Sequence, residues 1–412
     1  MEYLEKNKQY YKFCFYGFLK NLRFFDAFFM LFLVEKGVSF TQIGILYAAR
    51  EIATNVLEIP SGILADTFGR KATLAGSFVL YIGSFALFYI FNNFWFFLLA
   101  FILFGVAESF RSGTHKGMIM DYLNLKGWEK HAVNYYGHTR SWSQMGSALS
   151  ALLAGLIVFY GGDYQIIFLY SIVPYLINLF LILSYPGFLN QSMEQNEGRK
   201  RTRISISFRM LLDILKQNQV RRIIFSSATH SAFLKAVKDY IQLVMVNLAL
   251  VIPLMNQFDP KQKNGFMIGV LYFFIFIGTS LASKFSSFLA AKSRHNIVQM
   301  TLISGFAAGA ISGVSYHYNF WMISLLAFAG IYLVENIRKP ILTGAVAKQV
   351  PKEILTSVIS SQSLLSTIIT SLLALIFGVI ADHSGVGISL MSVSGLLLLI
   401  TAFIQITDKS HS

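Results

Sequence analysis

Charged residues are scarce in this chain of 412 residues. Only 13% of its residues are Asp, Glu, Lys or Arg, whereas 55% are hydrophobic and the mean hydropathy is +0.57. A soluble domain of this size carries about 25% charged residues. The hydrophobic residues form repeated runs of about 20 residues, each long enough to cross a bilayer. The composition therefore excludes an ordinary soluble globular protein and predicts a polytopic membrane protein.

Cysteine is almost absent, since Cys14 is the single one. An intramolecular disulfide and a cluster of thiolate metal ligands are thus excluded. The eight histidines show no metal-ligand spacing, so neither a metal nor another cofactor is expected. The phosphate-binding pattern GxxxxGK[ST] is missing, which argues for a gradient rather than ATP as the energy source. The chain starts with a polar, charged segment followed by a full-length apolar run, so no cleavable signal peptide is expected.

Acidic residues are also few: 20 Asp and Glu stand against 34 Lys and Arg, which gives a net charge of +14. A basic excess can indicate nucleic-acid binding, but here its distribution follows the apolar runs. Twelve spans are predicted, at residues 13–34, 43–64, 72–91, 94–119, 136–159, 164–185, 222–250, 266–289, 297–316, 320–339, 354–380 and 387–406. Alternate loops, counted together with the span-end residues Arg222 and Lys339, hold 21 Lys and Arg on one side and 3 on the other. The positive-inside rule then predicts both termini in the cytoplasm and no nucleic-acid partner.

A loop with the sequence GILADTFGRK, residues 62–71, joins the second and third spans. Asp66, Arg70 and Lys71 are costly in hydrocarbon, so this loop is expected at a membrane surface. Gly69 suits a sharp turn, and Gly62 is expected to let neighbouring helices approach closely.

These residues resemble the signature loop GxLaDrxGrkxxl between helices 2 and 3 of the major facilitator superfamily. The resemblance implies an all-α membrane protein with twelve transmembrane helices in two pseudo-symmetric six-helix bundles. It also implies a transporter rather than an enzyme. In that family the Asp of the loop meets the other bundle near helix 11, and the Arg meets an acid, which is Asp121 here. The implied gating motif comprises Gly62, Asp66, Gly69, Arg70, Lys71 and Asp121.

The domain division follows from the longest hydrophilic stretch, in the middle of the chain. We predict an N-terminal bundle at 1–186, a basic cytoplasmic linker at 187–220 and a C-terminal bundle at 221–412. The linker is either an amphipathic helix on the inner leaflet or a solvated connection. A second apparent copy of the signature, at residues 378–385, falls on the outer side and is interpreted as a coincidental helix-end sequence.

Ionisable side chains inside the spans identify the candidate site, because such groups usually line a cavity or pair with each other. The first and seventh spans are equivalents across the pseudo-two-fold axis, and each offers cations near mid-depth. The superfamily's phosphate-ester transporters place one cation on each of these helices, and this chain is similar. The substrate-binding candidates are Lys20, Arg23, Arg111, Arg140, Lys235, Lys238 and Gln242. The alternative is a pair of internal salt bridges, Arg23–Asp26 and Lys235–Asp239.

Carboxylates inside the spans are the candidates for proton coupling, since burial and nearby charges both change carboxyl protonation. They are Asp26, Glu108, Asp239, Glu51 and Glu58. Asp26 ranks first and Glu108 second, because both lie close to cations. For Glu51 and Glu58, partnership with Arg50 or a neighbouring helix is an equal alternative.

These observations predict a monomeric secondary transporter of the inner or plasma membrane, in contact with lipid. It is expected to move an anionic small solute by alternating access with proton coupling. The solute classes considered are an organic carboxylate, a carboxylate siderophore and a phosphate ester. The alternatives are proton-driven efflux of an amphiphile or lipid, and a non-transporting sensor on the same fold. Substrate identity, direction and coupling ion are left open by the sequence.

Overall fold

The computed structural model describes residues 6–128, 131–190, 218–253, 255–292, 297–350 and 352–401. Regular structure in these ranges is helical. The first helices are α1 (Lys8–Lys20), α2 (Phe29–Glu35), α3 (Phe40–Val56), α4 (Glu58–Phe68), α5 (Arg70–Ile90), α6 (Phe94–Arg111), α7 (Thr114–Lys126), α8 (Ala132–Gly161) and α9 (Ile166–Leu183). The later helices are α10 (Asn218–Val237), α11 (Ile241–Val251), α12 (Pro260–Lys292), α13 (Ile297–His317), α14 (Trp321–Gln349), α15 (Lys352–Ser384) and α16 (Val386–Thr401).

The twelve predicted spans each coincide with one of these helices or with consecutive ones. In the described part of the chain, eight helical stretches are long and apolar enough to cross a membrane, and α16 is a shorter apolar helix. The helical membrane fold predicted from the sequence is thus confirmed.

Four spans are interrupted within the described residues. The first breaks between α1 and α2, where a 3-10 helix covers Phe24–Ala27, and the seventh breaks at the 3-10 helix Lys238–Tyr240. The second breaks at Leu57 and the fourth at Ser112 and Gly113. Helix breaks at membrane depth are tolerated where the freed backbone groups are buried in protein or line a cavity. The four breaks therefore indicate where polar sites lie.

The chain forms two compact units. Unit 1 comprises Met1–Val38, Ala49–Met193 and Ala249–Phe276, and unit 2 comprises Ser39–Ala48, Glu194–Leu248 and Ile277–Ser412. α3 and α12 therefore each begin in one unit and end in the other. The predicted division into two six-helix bundles stays a prediction. Most of the predicted linker lies outside the described residues.

Aromatic side chains fill the core of unit 1. Phe25 lies between Phe85 and Phe104, with ring centroids 5.0 and 5.7 Å away. Phe88 stacks on Phe168 at 4.8 Å. Because these rings exclude water, polar groups that border them lie in a medium of low dielectric constant, where charge pairs interact strongly.

Small residues let helix backbones touch in both units. In unit 1, a Cβ added to Gly269 of α12 would lie 2.9 Å from both the Ala151 carbonyl oxygen and the Gly155 Cα of α8. In unit 2, a Cβ on Gly313 of α13 would lie 2.7 Å from the Gly387 carbonyl oxygen of α16. The close approach expected at Gly62 is wrong, because a Cβ there would meet no described atom within 4 Å.

The start of α3 is capped by two sets of side chains of unit 2. Ser39 and Gln42 form a capping box: Gln42 N–H donates to Ser39 Oγ at 3.2 Å, and Ser39 N–H donates to Gln42 Oε1 at 3.0 Å. The Asp382 carboxylate of α15 accepts from the backbone N–H groups of Phe40 and Thr41, each at 2.8 Å. Residues 378–385 lie at a helix end, as interpreted from the sequence. That interpretation missed the structural role of Asp382, which caps α3.

Candidate solute-binding site

Four side chains of unit 1 form a connected polar group, here called the Glu108 cluster. Glu108 Oε2 accepts from Arg23 Nη2 at 3.4 Å, and from the Tyr81 hydroxyl in a short hydrogen bond. Glu108 Oε1 accepts from Arg111 Nη2 in a short ion pair, and Arg111 Nε donates to the Tyr81 hydroxyl at 3.3 Å. One carboxylate is thus shared between two guanidinium groups and a phenol.

The two arginines of the cluster are held in place by helix breaks. Arg23 follows the end of α1 with φ −96° and ψ 75°, outside the helical region. Arg111 is the last residue of α6, and Gly113 beyond it has φ +79°, which favours glycine. Arg23 also lies over the Phe104 ring, 6.0 Å from its centroid, so the charges border the aromatic core.

A cavity of about 360 Å³, here called the large cavity, opens beside Arg111. Its basic lining consists of Lys20, Arg111, His115, Lys116 and Arg140. The remaining lining comes from α1, α7, α8 and the break after α6, and includes Tyr16, whose ring stacks on His115 at 3.6 Å. Among the described residues that line it, none is acidic.

A second cavity of about 230 Å³, the small cavity, lies at the break between α1 and α2. Its lining combines charge, hydroxyl and aromatic groups: Asn21, Arg23, Asp26, Ala27, Ser147, Ser150, Ala151, Tyr272 and Phe276. Arg23 Nη1 and Asp26 Oδ2 are 3.9 Å apart. Arg23 therefore faces both this cavity and Glu108.

The predicted residues of the seventh span form a separate cluster in unit 2. Lys238 Nζ donates to Asp239 Oδ1 at 2.9 Å, and the Tyr47 hydroxyl donates to Asp239 Oδ2 at 2.9 Å. The Tyr332 hydroxyl donates to the Lys238 carbonyl oxygen at 2.7 Å. At this break, side chains therefore hydrogen-bond to the Lys238 carbonyl group and to the buried Asp239 carboxylate.

Two basic residues of the signature loop, Arg70 and Lys71, have polar partners in the described structure. Arg70 Nη1 lies 2.5 Å from Asp121 Oδ2, and Lys71 Nζ donates to the Tyr185 carbonyl oxygen at 2.8 Å. Gly69 has φ +89°, which accounts for glycine at this turn. The side chain of Asp66 lies outside the described part of the structure.

Comparison with known proteins identifies the family. The sequence profile of the Major Facilitator Superfamily matches residues 17–372. The chain belongs to the major facilitator superfamily. It is 24% identical over 388 residues to the MFS-type transporter YxaM of Bacillus subtilis (strain 168), covering 93% of this chain and 92% of that one.

Solved structures confirm the superfamily fold. The nucleoside transporter NupG superposes with a TM-score of 0.76 at 12% identity, covering 97% of this chain and 98% of that chain. A POT family transporter in complex with 5-aminolevulinic acid gives a TM-score of 0.71 at 11% identity, covering 96% and 95%. At such identities the likeness shows the fold alone. Superfamily membership makes the chain an integral membrane protein and a secondary transporter of a small molecule, not an enzyme.

Within this superfamily fold, the predicted candidates of unit 1 line two cavities. Lys20, Arg111 and Arg140 line the large cavity, and Arg23 and Asp26 line the small one. In unit 2, Lys238 and Asp239 pair with each other, and the candidates Lys235 and Gln242 belong to the same span. Arg23 and Asp26 come together although the helix is broken, because a 3-10 turn replaces the continuous α-helix assumed from sequence.

The two glutamates of the second span lie in surroundings that favour a structural role. Glu51 Oε1 lies 3.6 Å from Arg50 Nη2. Glu58 is the first residue of α4, where a negative charge is favoured by the helix dipole. These contacts support structural partnership for Glu51 and Glu58, and their proton-carrying role stays a prediction.

Sequence reasoning missed a buried pair in unit 2. His230 is fully buried, and its Nδ1 lies 2.6 Å from Glu335 Oε2, while the Ser231 hydroxyl donates to Glu335 Oε1. Arg338, which is 1% exposed, donates to the carbonyl oxygens of Val298 and Ser226 at 2.6 and 3.2 Å. The sequence feature that could have indicated this polar site is the pair of charged residues Glu335 and Arg338, three residues apart in an apolar span.

Proposed function

We propose that this transporter moves an anionic small solute across the inner or plasma membrane by alternating access. The observation that carries the proposal is the basic lining of the large cavity. Four cations and a histidine line it with no acid among the described lining residues. An anion that leaves water needs charge-assisted hydrogen bonds in return, and Lys and Arg supply them.

The charge balance of the cavity supports a ligand of negative charge. Arg111 is compensated by Glu108, whereas Lys20 and Arg140 face the cavity from α1 and α8. Lys20 is partly buried and Arg140 is exposed, and a cation at the edge of a cavity is stabilised by an anion at close range. Carboxylates and phosphate monoesters both fit this chemistry. The fold does not select between solutes, because the structures that share it include transporters of nucleosides and of peptides.

Proton coupling is proposed at Glu108, with Asp26 as the second candidate. Glu108 shares its charge with two arginines, so an anion that binds either guanidinium competes with it directly. When the solute holds the arginine, a proton can neutralise Glu108 instead. The proposal thus makes proton uptake a consequence of solute binding, which is the requirement for symport.

The test is solute binding and uptake by the purified protein in proteoliposomes. The panel contains monocarboxylates, dicarboxylates and phosphate monoesters. Lys20→Gln and Arg140→Gln should each weaken binding of the transported anion at least tenfold, since a charged hydrogen bond contributes about 1.5–3 kcal/mol. Lys126→Gln, at the exposed end of α7, is the matched control and should bind normally. Unchanged affinity in both cavity variants would reject the basic cavity as the anion site.

A further inference from the structure

The small cavity differs from the large one in the sign of its charges. Arg23 and Asp26 both line it, and their side chains are 23% and 39% exposed. A plain anion that bound Arg23 here would have the Asp26 carboxylate as a neighbour, because Asp26 Oδ2 lies 3.9 Å from Arg23 Nη1. Neighbouring like charges repel more strongly at a partly buried site than in water. The small cavity is therefore poorly suited to a simple anion.

The cavity wall includes buried polar atoms without a hydrogen-bond partner in the described structure, among them Arg23 Nε, on the guanidinium that also faces Glu108, and Ser150 Oγ. Ser150 is 4% exposed. Buried polar atoms are almost always satisfied in a folded protein, so each one left over needs an explanation. A bound polar solute would supply an acceptor for Nε and a partner for the hydroxyl.

The remaining wall is aromatic. The rings of Tyr272 and Phe276 stack with centroids 5.8 Å apart on α12, and both residues line the cavity. Aromatic faces attract ammonium groups through cation–π interaction. The aromatic wall thus offers a second favourable contact for a positive charge, in addition to Asp26.

We propose that the small cavity binds a zwitterion, a small solute with one carboxylate and one ammonium group. The carboxylate binds Arg23 and Ser150, and the ammonium binds Asp26 against the aromatic wall. A cavity of about 230 Å³ corresponds to about seven or eight waters at roughly 30 Å³ each, which suits a small amino acid. This inference rests on the proposed function, because it adds, beside the anion site of the large cavity, a second site for the carried solute that is selective for an amino-carboxylate.

The experiment compares three probes of similar size on the purified protein: alanine, propionate and propylamine. Alanine should bind at least tenfold more tightly than either of the others. In Asp26→Asn this preference for alanine over propionate should fall at least tenfold, and in Ser150→Ala the affinity for alanine should weaken while the preference remains. Asp163→Asn, in the loop between α8 and α9, is the matched control and should keep wild-type selectivity.

The outcomes separate this inference from the proposed function. Equal binding of alanine and propionate by the wild-type protein would overturn the zwitterion site, as would a preference that survives in Asp26→Asn. Either result leaves the anion site intact if Lys20→Gln and Arg140→Gln still weaken anion binding. If Asp26→Asn does not fold, the three-probe comparison in the wild-type protein and in Ser150→Ala tests the inference instead.

Discussion

Glu108 links the two cavities of unit 1. Its carboxylate contacts Arg23, which lines the small cavity, and Arg111, which lines the large one. Tyr81 donates a third hydrogen bond. The Glu108 side chain is 25% exposed, and a partly buried carboxylate with two cationic partners is costly to disturb unless another anion takes its place. Solute binding in either cavity is therefore expected to change the charge environment of Glu108.

We expect Glu108→Gln to separate transport from coupling. An amide cannot exchange a proton, so accumulation driven by a pH gradient should be lost, whereas counterflow exchange of solute should persist. Anion affinity should be equal or higher, because Arg23 and Arg111 lose their competing carboxylate. The measurement is uptake by proteoliposomes with and without a pH gradient.

Glu35→Gln is the matched control for this experiment. Glu35 pairs with Lys261 at 2.7 Å, away from the cluster, so this variant should still accumulate solute. If Glu108→Gln also accumulates solute under a pH gradient, the proton carrier lies elsewhere, and Asp26→Asn is the next variant for the same assay.

At the scale of elements, contacts between small residues determine how closely α8 and α12 pack. Gly155, Gly265 and Gly269 bring the two backbones into direct contact, as small residues often do between membrane helices. The nearest atoms to an added methyl group are backbone atoms. They cannot move aside as a side-chain end can.

Gly269→Ala should therefore destabilise the protein by about 1–3 kcal/mol, the usual range for overpacking. Gly83→Ala is a matched substitution in α5, where a Cβ would meet no described atom within 4 Å. It should be neutral or stabilising by about 0.5–1 kcal/mol, since alanine favours the helix. Thermal unfolding in detergent compares the two variants, and equal melting temperatures would contradict the packing argument.

A second element-level prediction concerns the cap on α3. Asp382→Ala removes the acceptor of two backbone N–H groups and should cost about 0.5–2 kcal/mol, as for other N-cap residues. Hydrogen exchange at Phe40 and Thr41 should accelerate together with the loss of thermal stability. Asp382→Asn retains one side-chain oxygen acceptor and should fall between wild type and Asp382→Ala. Unchanged exchange at both amides would show that the capping box of Ser39 and Gln42 suffices.

At the scale of the whole molecule, gating is expected to depend on the signature loop. Arg70 and Asp121 form a close ion pair in unit 1. Their side chains are 23% and 21% exposed, and even an ion pair at a protein surface contributes up to about 1 kcal/mol. Because about 1.4 kcal/mol shifts a two-state ratio tenfold, a contact of this strength biases a transporter between its states. Asp121→Asn should slow turnover with little change in solute affinity, as measured by uptake kinetics. Wild-type turnover would leave the pair a purely structural contact.

Orientation in the membrane is the second prediction at this scale. Since 21 loop Lys and Arg fall on one side and 3 on the other, the basic side should be cytoplasmic. Cys14 is the single cysteine and is buried, so Cys14→Ser provides a background for single-cysteine labelling. An impermeant maleimide should label Asn92→Cys in intact cells and Lys126→Cys only after permeabilisation. The reverse pattern would invert the topology.

Much of the fold could be predicted because its signals are local. Hydropathy located the spans, each of which coincides with helix in the described residues, and the signature loop was recognised because Gly69 and Arg70 are contiguous in sequence with the rest of the motif. The pairing of Arg70 with the distant Asp121 was expected from the family resemblance. The candidate site was only partly predictable. Lys20, Arg23 and Arg111 were recognised as intraspan charges, but Tyr81, His230 and the sharing of Glu108 depend on residues distant in sequence.

The sequence by itself determined that the protein is embedded in a membrane, how many spans it has and to which family it belongs. The spans can be read from sequence because the cost of placing polar groups in lipid acts on each segment separately. Only the tertiary structure decided where helices break, which carboxylate each cation meets and where two backbones touch. Those features arise from contacts between helices that are far apart along the chain. Periodicity assumes a continuous α-helix, whereas packing replaced that helix by a 3-10 turn at Phe24–Ala27, and this turn places Arg23 between Glu108 and the small cavity.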